Sequence, residues 1–404
     1  MGDTVTGEEP NEVPENPEDM LRQVKSDVSI SEVHHEVERA IIDKEELETA
    51  ASTMESIYHT AITFEHDADL AKGMHLACAK VVGDAIENPA YPLGYYNANP
   101  EASMESFVST LSDTIEKIWR AIINVYNKIS QAIRSFLKNL FGGVANLRRW
   151  SERLQKQLDD MDGSEEMMSV GIALSKPGKL AIEGELTRET LLNGASNVNN
   201  VLVAKYDAFI EDTRNSYENL ANWFKKKDAG KIDTLRRMVQ RDNEQRETIY
   251  EKIVDKIKLP GDYTIKVLFG GSTKDFPMPT RYEVVKSENA KDFRGRGTLP
   301  GLDRNQVQEQ LDIVNNIIDV IERHEKSIED IEKLRDETKE AADKWVDEAE
   351  KGVLEGELTK MDVRSALRIS TNNTIKGLIS INKYLYDYTS AYMEALEKSL
   401  ERYK

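Results

Sequence analysis

The stretch IEKIWRAIINVYNKISQAIRSFLKNLF, residues 115–141, decides the architecture of this chain. Counting Phe107 and Leu111 just before it, its apolar positions are Ile115, Ile118, Ile122, Val125, Ile129, Ile133, Phe136 and Leu140. They recur in nine steps of about 3.67 residues, a helical period closer to an 11-residue than to a 7-residue repeat. Val108, Trp119, Ile123, Tyr126, Leu137 and Phe141 form a second stripe that widens the apolar face. A helix over 107–141 would be about 55 Å long. Gly142-Gly143 is where it is expected to end or bend, with a more polar helical continuation over 146–160.

The polar face of this helix is basic. From Lys117 through Trp150 there are seven Lys/Arg and no acid. The candidate amphipathic, basic surface is therefore Lys117, Trp119, Arg120, Lys128, Arg134, Lys138, Arg148 and Arg149. The simplest reading is a buried helix with its cations toward solvent, since most amphipathic helices are structural. Two others use the same residues: a helix that lies on an anionic membrane surface, and a cationic face for nucleic-acid phosphates or an acidic partner.

The segment before it has the opposite charge. Residues 1–105 hold 23 Asp/Glu and 6 Lys/Arg, a net of −17, whereas residues 106–404 hold 50 and 48, a net of −2. The whole-chain net charge of −19 thus describes the first quarter. Such asymmetry speaks to partners and solubility rather than to fold.

Outward from this boundary the chain divides into five parts. Residues 1–28 read as a disordered acidic leader, by low hydrophobicity and high charge. Residues 29–105 form an acidic helical segment, with one helix to about residue 50, a second over 51–88 and an aromatic loop at 91–100. Residues 106–160 are the basic amphipathic region. Residues 161–300 are mixed: a hairpin around Lys176-Pro177-Gly178, helix from Thr187 to Leu259 broken near Asp228-Ala229-Gly230, and a strand pair at 263–269 and 280–287. The two strand pairs are expected to share one small sheet. Residues 301–404 are two long helices folded antiparallel. The fold class is mostly α, with an antiparallel C-terminal helical hairpin and a small β insert.

One cysteine, Cys78, excludes an internal disulfide framework and fits a reducing compartment. No run of 18 uncharged apolar residues predicts a transmembrane helix, and the N-terminus lacks the pattern of a secretory signal. Five of six histidines (His34, His35, His59, His66, His75) precede residue 76 without a metal-ligand spacing. Gly270-Gly271-Ser272-Thr273-Lys274 lacks phosphate-loop spacing and context. No catalytic residue, metal site or cofactor is expected.

The order of parts resembles the internal head proteins of large tailed bacteriophages. The residues that carry it are the acidic leader, Ser103-Met104-Glu105-Ser106-Phe107, and the helix 115–141 ending in Phe-Gly-Gly. LSKPGKLAIEGEL at 174–186 is similar to the strand pair that follows the helix in such proteins. The resemblance spans roughly 30–190 and implies a non-enzymatic structural protein of the capsid interior, assembled in the host cytoplasm. It further implies a precursor whose acidic propeptide a prohead protease removes by cutting after Glu in a small-x-Glu triplet. The cleavage site would be Ser103, Met104, Glu105, Ser106.

Ten A/S/G-x-E triplets occur in the chain. Only the one ending at Glu105 sits at the charge boundary, where a backbone between loop and helix can be reached. Removing a −17 segment would relieve its repulsion from DNA. The implied partners are the prohead protease, other capsid-interior proteins or the shell, packaged DNA, and a membrane surface on release. Two rival readings stay open: a membrane-active protein working through 107–141, and an unprocessed cytoplasmic helical scaffold.

Overall fold

The computed structural model describes residues 17–63, 100–161, 171–225, 251–253, 258–268, 272–273, 276–277, 281–293, 295, 298–299, 301–350 and 360–403. Its axis is one helix, α2, Pro100–Asp160, 61 residues without interruption. Along it runs α1, Pro17–Thr63. The pairing is antiparallel: Asn146 Nδ2 donates to Ser26 Oγ at 2.9 Å, and Asn139 Nδ2 to Ser29 Oγ at 2.8 Å. Ile30 and Val37 of α1 are buried, as are Ile133, Phe136 and Leu140 of α2.

Two sequence expectations change here. Residues 17–28, read as disordered, form the first turns of α1, and 29–63 belong to the same helix. A low apolar content does not prevent a helix that can dock on a long apolar partner. Gly142-Gly143 does not end α2, which runs on to Asp160. A Cβ at Gly143 would lie 2.7 Å from Tyr386 Cε2 and 2.8 Å from Ile30 Cδ1. The glycine lets three helices approach, rather than capping one. The second half of the expected 51–88 helix and most of the 91–100 loop lie outside the described residues.

The middle of the chain holds α3 (Arg188–Val198), a π turn (Asn199–Val203) and α4 (Ala204–Lys225), running end to end. Thr187 and Thr190 form a capping box at the start of α3. Val201, Leu202 and Val203 of the π turn are all buried. The helix expected to reach Leu259 stops short of it, since Glu251–Ile253 is a strand, β2.

The sheet is small. With β1 (Ile172–Ala173), β3 (Tyr263–Leu268), β4 (Ser272–Thr273), β5 (Phe276–Pro277), β6 (Arg281–Lys286) and β7 (Thr298–Leu299), the strands form three antiparallel groups. The expected pair is there: β3 and β6 match from Tyr263↔Lys286 to Leu268↔Arg281, and β2 flanks β3. The expected hairpin around Lys176-Pro177-Gly178 is not. β1 pairs with β7 instead, and Pro177–Lys179 is a 3-10 turn. The two pairs therefore do not share a sheet. Proline's fixed φ suits the tight helical turn better than a two-residue hairpin.

The C-terminal segment folds back on itself, but its first arm is two helices rather than the single one expected. Helices α5 (Arg304–Arg323) and α6 (Glu325–Glu350), joined at His324, run antiparallel to α7 (Lys360–Leu400). Leu302 N donates to Ser399 Oγ at 3.1 Å, and Tyr392 Oη to Gln310 Oε1 at 2.8 Å, which fixes the register. Asp303 and Gln306 form a capping box that starts α5. Apolar side chains of α1, α2, α3, α4, α5, α6 and α7 and of β3 and β6 join in one core.

Candidate functional surface of the central helix

The α2 helix meets its neighbours through two kinds of side chain. The apolar stripe faces inward: Leu111, Ile115, Ile118, Ile122, Ile129, Ile133, Phe136 and Leu140 are all buried. Trp119, a candidate surface residue, is buried with them at 8 % exposure. An amphipathic helix in a folded chain buries its apolar face wherever a partner is available.

The basic residues divide into two groups. Arg134 Nε donates to Glu332 Oε1 at 2.9 Å, and its Nη2 to Asp336 Oδ2 at 2.6 Å, both on α6. Arg148 donates to Glu322 Oε2 at 2.8 Å and also to Asp319, both on α5. Burial opposes the Arg148 charge, but the hydrogen bonds it donates to Glu322 and Asp319 outweigh it and push the guanidinium above its ordinary range. Arg153, not singled out in the sequence, donates to Glu397 Oε1 of α7 at 2.8 Å. These arginines clamp the C-terminal hairpin onto α2, and fork-shaped guanidinium groups suit paired carboxylates. Lys117, Arg120, Lys128, Lys138 and Arg149 are exposed.

Ser103, Met104, Glu105 and Ser106 lie in the first two turns of α2, not in the loop expected there. Their side chains are outside the described residues.

Sequence reasoning missed the polar clasp between α1 and α7. Asp27 accepts from Tyr386 Oη at 2.7 Å, Gln23 Nε2 at 3.0 Å and Ser390 Oγ at 3.3 Å, and it pairs with Lys176, the residue just before the 3-10 turn. Gln23 Nε2 also reaches Tyr386 Oη at 2.9 Å. Gln23 and Tyr386 are buried. Burial, and the Asp27 carboxylate beside it, push the Tyr386 hydroxyl far above its ordinary range, so it stays a donor. Asp27 fell in the segment read as disordered, which hid it.

A second charged cluster lines a cavity of about 350 Å³. Asp387 Oδ2 lies 2.8 Å from Lys179 Nζ and 2.6 Å from Lys383 Nζ. Burial would raise the Asp387 carboxyl, but the two ammonium groups prevail and hold it below its ordinary value. For Lys179 the balance falls the other way, and burial lowers it despite Asp387. One carboxylate shared between two lysines satisfies itself better than either partner.

Among the described residues no group of three or more His, Cys, Asp or Glu could hold a metal ion. Among them, too, no helix is long and apolar enough to cross a membrane.

A family model of phiKZ-like phage internal head proteins matches residues 25–398. The chain belongs to that family. The match takes in most of α1, all of α2, the strands and nearly all of the C-terminal hairpin, well beyond the part whose pattern suggested the kinship. As a phiKZ-like internal head protein, the chain has its place in the capsid interior of a phage virion, in a family of structural head proteins. No curated protein and no solved structure matches it.

Proposed function

We propose that this internal head protein is made as a precursor and that a prohead protease severs its acidic N-terminal segment after Glu105. The observation that carries the reading is a coincidence of position. The net −17 of residues 1–105 gives way to a near-neutral body at the one small-x-Glu triplet that stands at the start of α2. A protease needs an extended backbone. The first turns of a helix, with N–H groups that lack intrahelical acceptors, unwind at least cost.

The severed body then acts as a packing protein inside the head. Lys117, Lys128, Lys138 and Arg149 are exposed and face either packaged DNA or acidic surfaces of the shell and other internal proteins. A role on a membrane surface would require the α2 apolar face to be uncovered.

The test is the intact mass and N-terminal peptide of the protein recovered from virions. A chain beginning at Ser106 supports the reading. A start after another small-x-Glu triplet keeps the processing and moves the site. A full-length chain overturns it in favour of an unprocessed scaffold.

A further inference from the structure

We infer that the severed leader does not leave with the cut: α1 stays docked on α2 and α7 as a separate chain, held by the Asp27 clasp. This rests on the reading that the chain is cut after Glu105.

Three observations on the intact chain carry it. The first is burial. Ile30, Val37, Ala51 and Met54 of α1 are each at most 1 % exposed, and Ile30 and Val37 belong to the same core as the C-terminal helices. A segment that contributes core side chains is bound by more than its peptide bond. The second is the chemistry of the seat. Asp27 brings a charge to a pocket whose other walls, Tyr386, Ser390 and Lys176, are all donors from the body. Were α1 to leave, these donors would lose their shared acceptor, and Gly143 would face the gap left by Ile30. The third is distance. α2 is continuous from Pro100, so Glu105 lies about 57 Å along the helix from Gly143. Opening the first turns of α2 leaves the clasp untouched.

The body thus presents a docking surface whose occupant is its own leader, and shedding the leader's charge is a second step that chain cleavage does not perform. Residues 17–63 carry 11 Asp/Glu and 4 Lys/Arg, so a docked α1 keeps a net of −7 on the body.

The test uses the full chain with a recognition sequence for a site-specific protease inserted between Ala98 and Asn99. The chain is cut to completion and passed over a sizing column at neutral pH. We expect both pieces in one peak. In Asp27→Ala, treated alike, the leader should bind about tenfold more weakly, read by competition with a labelled 1–98 fragment. Gly142→Ala, at a position with nothing within 4 Å, should bind as the original does. Separation of the original pieces would overturn the inference. Co-elution that Asp27→Ala does not weaken would overturn the clasp as what holds the leader. A full-length chain in virions would sink the processing reading and leave this result unchanged.

Discussion

Tyr386 occupies the place where Gly143 would carry a side chain. With Ile30 Cδ1 2.8 Å from the same point, one glycine is the meeting place of α1, α2 and α7. Its neighbour Gly142 is exposed and faces nothing. The two glycines should therefore respond oppositely to the same change. Gly142→Ala should stabilise the protein by about 0.5–1 kcal/mol, the ordinary gain of alanine over glycine within a helix. Gly143→Ala should destabilise it by about 1–3 kcal/mol, because overpacking outweighs that gain. Urea unfolding of the two variants settles the matter. Equal signs would show that the seat can move aside.

Tyr206 should matter through its hydroxyl alone. It is fully buried, and Oη donates to Asn382 Oδ1 at 2.6 Å, with Asn382 buried too. Tyr206→Phe keeps the ring and leaves the amide oxygen bare, at an expected cost of about 1–2 kcal/mol. A thermal melt reads this. No loss of stability would mean that Asn382 finds another donor.

The lysine pair around Asp387 gives a third test. Asp387→Ala would leave two ammonium groups close together without their carboxylate. Lys179 is partly exposed, so the loss should be about 1–2 kcal/mol rather than the larger figure for a fully buried pair. Adding Lys179→Met should recover part of it, which a double-mutant cycle would measure.

Acid should loosen the same region. Burial lowers the His34 imidazole below its ordinary value of about 6.5, with Glu38 and Asp387 pulling it up and Lys383 and His35 pushing it down. The unfolded chain then takes up the proton first. Stability is complete above the unfolded value, falls as pH drops through about 6.5, and levels off below the folded value. His34→Gln should flatten that part of the stability profile. If the slope persists in the variant, His34 is not its source.

The long helices were legible because periodicity survives any tertiary arrangement. Ten apolar positions from Phe107 to Leu140 announced α2, and Val307, Leu311, Val314 and Ile318 announced α5. What was illegible depended on partners distant in sequence. Nothing near Gly143 reveals that Tyr386 will lie against it, so two adjacent glycines read as a stop. Ile172 and Ala173 looked paired with 180–186 because those residues are close in sequence, yet their partner is Leu299 and Thr298. The basic face was visible as a run of cations. Its division into clamps and exposed residues was not, because Glu332, Asp336, Asp319 and Glu322 lie on helices almost two hundred residues away.

The π turn at Asn199–Val203 sets the phase of one rod against two neighbours. An i→i+5 turn carries one residue more than the α-helix needs, and each residue rotates the helix by about 100°. Upstream, Arg188 reaches Gln306 at the start of α5, and downstream Tyr217 O accepts from Thr338 of α6 at 3.3 Å. The extra residue turns the second half of the rod toward a different partner without breaking it. Deleting one residue between Asn199 and Val203 would straighten the winding and swing Tyr206, Phe209, Ile210 and Tyr217 by more than a quarter turn. A small change in winding would be felt along the whole face of α4.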